Sequence, residues 1–333
     1  MSDTGRSAMT ARRTRNAGPW PPWGALILLL WSTGTLALSP DKKLVDLRHT
    51  AWGAKEGAPS IQALAQTSDG YLWIASANGI LFRFDGLRFE HVELPRDDRL
   101  SSKIVYRVFA PNTGGLWIGF TFGGAALLKD GHMTVYTEQD GLPPGTVTDF
   151  DQASDGTLWA TTTGGLAHLG ASGWRHLATD SQCGQIYTKV IVDSKGIVWL
   201  ACQGKVFFLP KGSQVLQLLN EHVDGVSSIA ESPSGDVWLS DESGIRSIRK
   251  YENPGGHTVK QARGSLVDRD GTVWLMNFPG GLRRFVPPQG PATQALTRWQ
   301  DITMTDLFTA KDGMTSDAQV RMLQDREDRK SVV

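Results

Sequence analysis

Residues able to do chemistry are sparse in this chain. The seven histidines, His49, His91, His132, His168, His176, His222 and His257, share no common spacing, and no His-Glu-x-x-His is present. Asp268-Arg-Asp270-Gly271 has the opening of a calcium loop, but Val273, Trp274 and Met276 occupy the later ligand positions. Calcium needs six or more oxygen ligands, so the segment reads as an Asp-Gly turn. Asp149, Asp151 and Asp155 read the same way. There is no Gly-x-Ser-x-Gly elbow, Walker loop or Cys-x-x-Cys. The chain is therefore expected to be no enzyme, with no catalytic residue, metal or cofactor. Cys183 and Cys202 could pair in an oxidising compartment or remain buried thiols, and two thiols without a neighbouring histidine make no zinc site.

The positioning elements emerge from a repeat. Trp73, Trp117, Trp159, Trp199, Trp238 and Trp274 recur at gaps of 44, 42, 40, 39 and 36 residues. A glycine precedes each by three places, at Gly70, Gly114, Gly156, Gly196, Gly235 and Gly271, and a second follows five or six places after it. Nine residues before the tryptophan the type is apolar in five copies, at Leu64, Val108, Phe150, Val190 and Ile229. In the first copy, strands are predicted over 61–66, 71–76, 80–84 and 87–92, separated by Asp-Gly and Asn-Gly turns that favour tight hairpins. Four strands in about 40 residues is one blade of a β-propeller. The fold class is all-β: six blades and a truncated seventh, of the seven-bladed type. Each tryptophan is expected to fill the wedge between blades rather than to bind a ligand.

Ligand contacts in such a ring come from loops after the tryptophan strand and between blades. Asn78, Phe120, Phe122, Gln203, Asn277 and Phe278 are the candidates on that ground. The chain has 34 Lys plus Arg against 34 Asp plus Glu, a formal net charge of zero, which argues against nucleic-acid binding.

Residues 1–40 differ in character. Arg6, Arg12, Arg13 and Arg15 precede an apolar run from Gly24 to Leu38, the layout of an export signal or, if uncleaved, of an N-terminal anchor. Residues 41–333 form the expected propeller domain, placed in the periplasm, with membrane contact only through that segment.

The pattern Ser68-Asp-Gly-Tyr-Leu-Trp-Ile74, followed by Phe82-Arg-Phe-Asp-Gly86, and Ser154-Asp-Gly-Thr-Leu-Trp159, followed by Gly164-Gly-Leu166, resembles the two-component regulator propeller repeat. The resemblance covers roughly residues 45–330. It implies a periplasmic sensor region for a small molecule or glycan, signalling through an output domain or partner kinase, although no kinase box or phosphoacceptor helix follows here. Leu47–Trp52 matches an outer strand that would latch the ring. Gly313-Met-Thr315, Val320 and Leu323 begin a seventh copy whose tryptophan position falls at Val332, where the match fails; truncation of the parent gene is the expectation. A propeller lyase or carbohydrate-binding protein, and a non-functional gene fragment, are the alternatives.

Overall fold

The computed structural model describes residues 50–177, 187–202, 204–219, 223, 226, 228–233, 235–241, 244–248, 262–269, 271–277, 280–286, 303–312, 321–326 and 330–332. The chain divides into two units, 1–37 and 38–333, and every described residue belongs to the second. The export segment, His49, His222, His257, Cys183, Gln203, Phe278 and Val320 lie outside the described residues. No helix among the described residues is long and apolar enough to cross a membrane.

The first blade is an antiparallel meander of β1 (Ile61–Gln66), β2 (Leu72–Ser76), β3 (Leu81–Phe84) and β4 (Phe89–His91). The second has β5 (Val105–Phe109), β6 (Leu116–Phe120), β7 (Ala125–Lys129) and β8 (His132–Tyr136). β9 (Val147–Gln152), β10 (Leu158–Thr162), β11 (Gly165–Gly170) and β12 (Gly173–Leu177) make the third. The fourth contains β13 (Tyr187–Val192), β14 (Val198–Cys202), β15 (Lys205–Leu209) and β16 (Gln217–Leu218). Three strands, β17 (Ser228–Glu231), β18 (Val237–Asp241) and β19 (Gly244–Ser247), are described for the fifth. The sixth is again four-stranded, with β20 (Ala262–Val267), β21 (Val273–Asn277), β22 (Gly281–Val286) and β23 (Thr303–Phe308). A final hairpin pairs β24 (Met322–Gln324) with β25 (Lys330–Val332). Five complete four-stranded blades thus stand among the described residues.

The Gly-x-x-Trp spacing has a backbone cause. The six repeat glycines all take positive φ, from 78° to 90°, at the tip of the turn joining the first strand to the tryptophan strand. L-residues avoid that region, so glycine is the low-cost choice. The tryptophan three places on then points into the next blade. Trp117 packs with Val147, Phe150 and Trp174, and Trp199 with Ile229, Val237 and Leu239. Each apolar core is shared between two neighbouring blades, which is what holds them face to face. Trp159 alone of the six is only half-buried. Its ring lies 5.0 Å from that of His168.

Polar groups finish the turns. Asp193 and Asp268, six residues before their tryptophans, accept the indole N–H at 3.1 and 2.8 Å. Their other carboxylate oxygen accepts backbone N–H groups of the same turn, from Ile197 and Thr272, each at 2.9 Å. Asp155 caps its turn through Thr157 N–H, at 2.9 Å. Asp149 and Asp151 do not: both stand on β9, so their assignment to turns is corrected here. In the Asn78-Gly79 turn only Gly79 takes positive φ.

Two corrections concern the ends of the repeat. Thr50–Trp52 form no strand, and Trp52 instead packs edge-on against Phe84 at 5.0 Å. In the last hairpin, Gln324 pairs with Lys330 and Leu323 with Ser331, across a turn as long as that between Gln66 and Leu72. Turn length sets the register. Ser331, and not Val332, therefore stands at the tryptophan level, and Asp325 falls in line with Asp193 and Asp268.

A hydrogen bond recurs between blades. The second turn residue donates its backbone N–H to the side chain of the last first-strand residue in the following blade. Asn112 donates to Gln152 (2.9 Å), Ser194 to Glu231 (2.7 Å) and Arg269 to Gln324 (3.0 Å). Arg326, in the last hairpin, donates in the same way to Gln66 of the first blade, at 2.6 Å.

Candidate functional site

The first strands are irregular in a repeated way. Pairing with the tryptophan strand skips Gln62 on β1, Tyr106 on β5, Thr148 on β9 and Thr188 on β13. Each skipped residue is a β-bulge, and a bulge re-aims side chains that regular pairing would commit to one face. Gln62, Tyr106, Thr148 and Thr188 jointly line one cavity of about 240 Å³, together with Arg107, Lys189, Val226 and Arg321. These residues come from the first strands of different blades, or from just before them, so the cavity lies where the blades converge.

The loop after the tryptophan strand meets the loop between blades at this end. Val105 N–H donates to Gly79 O and Thr121 N–H to Ile104 O, each at 2.9 Å, tying the loop after the tryptophan strand to the start of the next first strand. The candidates taken from those loops fare differently. Asn78 is exposed and accepts from Ser76 Oγ at 2.5 Å, a contact within its own turn. Phe122 is 70% exposed at positive φ, and its carbonyl accepts from Ser101 Oγ. Phe120 is 0% exposed and packs with Leu81, Val105 and Ile118, which removes it from any ligand surface. None of these three borders the cavity. Asn277 sits in β21, while Gln203 and Phe278 fall outside the described residues.

The cavity's charges were missed in the sequence. Arg107, Asp149 and Lys189 each stand ten residues before a repeat tryptophan, and Arg321 holds the corresponding place before Ser331. Charge in that column of an otherwise apolar strand is the signal that was available. Arg107 Nη2 meets Asp149 Oδ1 at 2.5 Å, and Lys189 Nζ lies 4.0 Å from Asp149 Oδ2. Arg107 Nε is buried without a hydrogen-bond partner. Arg321 Nε donates to Gln62 O at 2.6 Å. Asp149 and Asp151 also accept Val190 and Val192 N–H of the next blade, at 3.4 and 2.6 Å.

Electrostatics follow from this crowding. Burial, opposed by Asp149 and aided by Arg107 and Arg321, lowers the Lys189 ammonium to about 8. Burial also lowers the Arg321 guanidinium, and Arg107 adds to the effect. Asp151 is raised to about 7 by burial, against the Val192 N–H that favours its charged form. No group of three or more His, Cys, Asp or Glu side chains among the described residues could hold a metal ion. The described histidines stand elsewhere: His91, His132 and His176 on fourth strands and His168 on a third. Cys202 is disulfide-bonded, at the end of β14.

Residues 56–78 match the family described as the two component regulator propeller. That stretch holds the first Gly-x-x-Trp copy, and the chain's fold is shared with several solved structures. The extracellular domain of BT3049 from B. thetaiotaomicron, assigned to a hybrid two component system, is 16% identical with a TM-score of 0.67. That match covers 85% of this chain and 40% of the other. PorZ, a surface component of the type-IX secretion system of Porphyromonas gingivalis, is 14% identical over 80% of this chain and 44% of its own, with a TM-score of 0.61. A catalytically inactive virginiamycin B lyase from Staphylococcus aureus, solved with quinupristin, is 13% identical over 79% of this chain and 88% of its own, at a TM-score of 0.57. This chain spans about two fifths of the length of the first two. No curated protein matches it.

Proposed function

We propose that this propeller is the extracytoplasmic ligand-sensing region of a two-component-type signalling protein, and that its ligand sits in the cavity where the blades converge. The observation that carries the reading is the bulge repeated on successive first strands, which delivers one residue per blade into a shared cavity. Bulges favour sites where a side chain must be re-aimed. A purely structural ring has no need of them at the same place in four successive blades.

The family repeat and the likeness to the BT3049 extracellular domain support the sensory role. The disulfide at Cys202 fits an oxidising compartment outside the cytoplasm. Seven blades are the natural completion of the ring, with β24 and β25 as the inner strands of the seventh; Arg326 bonded to Gln66 supports that count. The output would then lie on another domain or on a partner kinase.

A lyase is the competing reading, favoured by the likeness to virginiamycin B lyase. Against it, the described histidines stand on outer strands, away from the cavity. The test is a chimera placing residues 41–333 before a histidine kinase with a transcriptional reporter, screened with small ligands and glycan fragments. A ligand-dependent response, lost when Tyr106 is changed to Ala, supports sensing. Turnover of a ligand by the purified protein, without a reporter response, would replace sensing with catalysis.

A further inference from the structure

The whole chain carries as many acidic as basic residues, yet the cavity does not. Among the described residues, Arg107, Lys189 and Arg321 line it, and Asp149 is the carboxylate that Arg107 and Lys189 approach. Cations lining one small cavity repel one another where the effective dielectric is low. A fold that needed only packing would place apolar or neutral residues there, as it does at Val226. Burial, with the neighbouring Arg107 adding to it, holds the Lys189 and Arg321 charges below their ordinary range. Half-buried charge clusters in a cavity are candidate functional sites, because a ligand can add counter-charge there.

The other lining groups describe the body of the ligand. Tyr106 is 36% exposed and offers an aromatic face. Thr188 donates its hydroxyl to the Ala201 carbonyl, which leaves oxygen lone pairs to accept from a ligand. The volume of about 240 Å³ lies below the range of about 300–1,000 Å³ usual for drug-sized ligands. It suits a single monomer or the end of a chain.

Building on the sensing role, we propose that the cavity is an oxyanion site, in which Arg107, Lys189 and Arg321 hold the carboxylate, sulfate or phosphate of a monomer-sized ligand whose body rests against Tyr106. Lys189 is the residue on which the test turns. Arg107 is engaged with Asp149, and Arg321 contributes to the contact with the first blade. Removing the Lys189 charge relieves its desolvation cost, so Lys189→Met is expected to keep or raise Tm while removing the ligand.

The experiment is titration calorimetry on the purified chain with D-glucuronate, D-glucose, sodium sulfate and sodium phosphate, in wild type and Lys189→Met, with Lys189→Gln as the second variant should the first not fold. Glucuronate is expected to bind at least tenfold more tightly than glucose. Its affinity is expected to fall as NaCl rises and to drop at least tenfold in Lys189→Met at unchanged or raised Tm. Sulfate or phosphate binding as tightly as glucuronate, with the same loss in the variant, would support the site and identify a free inorganic oxyanion as its ligand. Binding of no oxyanion, or oxyanion binding indifferent to Lys189→Met, overturns the proposal. Glucose bound as well as glucuronate, with no effect of the variant, also overturns it but leaves the ligand-sensing role standing. That role fails separately, when the reporter chimera stays silent to every ligand.

Discussion

Asp193 holds two things at once, the Trp199 indole and the backbone N–H groups of its own turn. It is also nearly inaccessible, at 1% exposure. Asp193→Ala leaves a buried indole N–H and turn amides unpaired, and should cost about 1–3 kcal/mol for each group left without a partner. Chemical denaturation of the variant against wild type measures it, and a change below that range would mean water replaces the carboxylate. Asp151 and Lys189 make a second prediction, in pH. Asp151 keeps its proton up to about 7 in the fold, against about 3.9 in an unfolded chain. The folded state binds the extra proton in that window, so the contribution of Asp151 is present below about pH 4 and lost as pH rises to about 7. Lys189 behaves oppositely, releasing its proton at about 8 in the fold but near 10.4 when unfolded. Its contribution to stability therefore grows from about pH 8 to about 10.4. Tm against pH should lose the first slope in Asp151→Asn and the second in Lys189→Met. The turn role of the repeat acid was legible from Asp-Gly spacing. Asp149 and Asp151 were not, because an acid on a strand and an acid in a turn look alike until strand pairing assigns their positions.

At the scale of the strand and its turn, two glycines separate backbone strain from crowding. Gly70 and Gly141 share nearly the same φ, 90° and 87°. A Cβ on Gly70 would meet open space, whereas on Gly141 it would lie 2.2 Å from the Trp174 carbonyl oxygen. Gly70→Ala should therefore cost about 1–2 kcal/mol, the left-handed penalty alone. Gly141→Ala should cost more, because backbone must also move; equal losses in the two denaturation curves would contradict this. The blade-to-blade contact gives another test. Gln66 accepts from Arg326 N–H and donates to Gly70 O at 3.2 Å. Gln66→Ala should lose about 1–2 kcal/mol. Gln66→Glu should lose less, since Glu231 makes the equivalent contact in its blade. Strand limits in the first blade were readable almost to the residue, because turn residues bracket each strand. The bulges were not, since an inserted residue on one strand shows only when its partner is known. That is also why the ligand candidates were sought in loops, where Phe120 proved to be core.

For the molecule as a whole, the pairwise cores make stability a chain of neighbour interfaces. The contact from Arg326 back to Gln66 joins the last described hairpin to the first blade. Removing residues 322–332 should therefore uncover apolar surface on two blades at once, lowering Tm and broadening the transition, which scanning calorimetry would register. A single sharp transition at unchanged Tm would show that the ring holds without that closure. Fold class followed from the tryptophan period, since each repeat must bury its face on a neighbour. The site did not, because it belongs to no single repeat. The bulge also bears on how the lining of such a cavity can change. Its extra residue is excused from pairing, so it can change identity without disturbing the core beneath it. A lineage could thus revise recognition one blade at a time, rewriting a short alphabet of inward positions while the tryptophan framework stays fixed. An engineer wishing to retune specificity would begin at Gln62, Tyr106, Thr148 and Thr188 for the same reason.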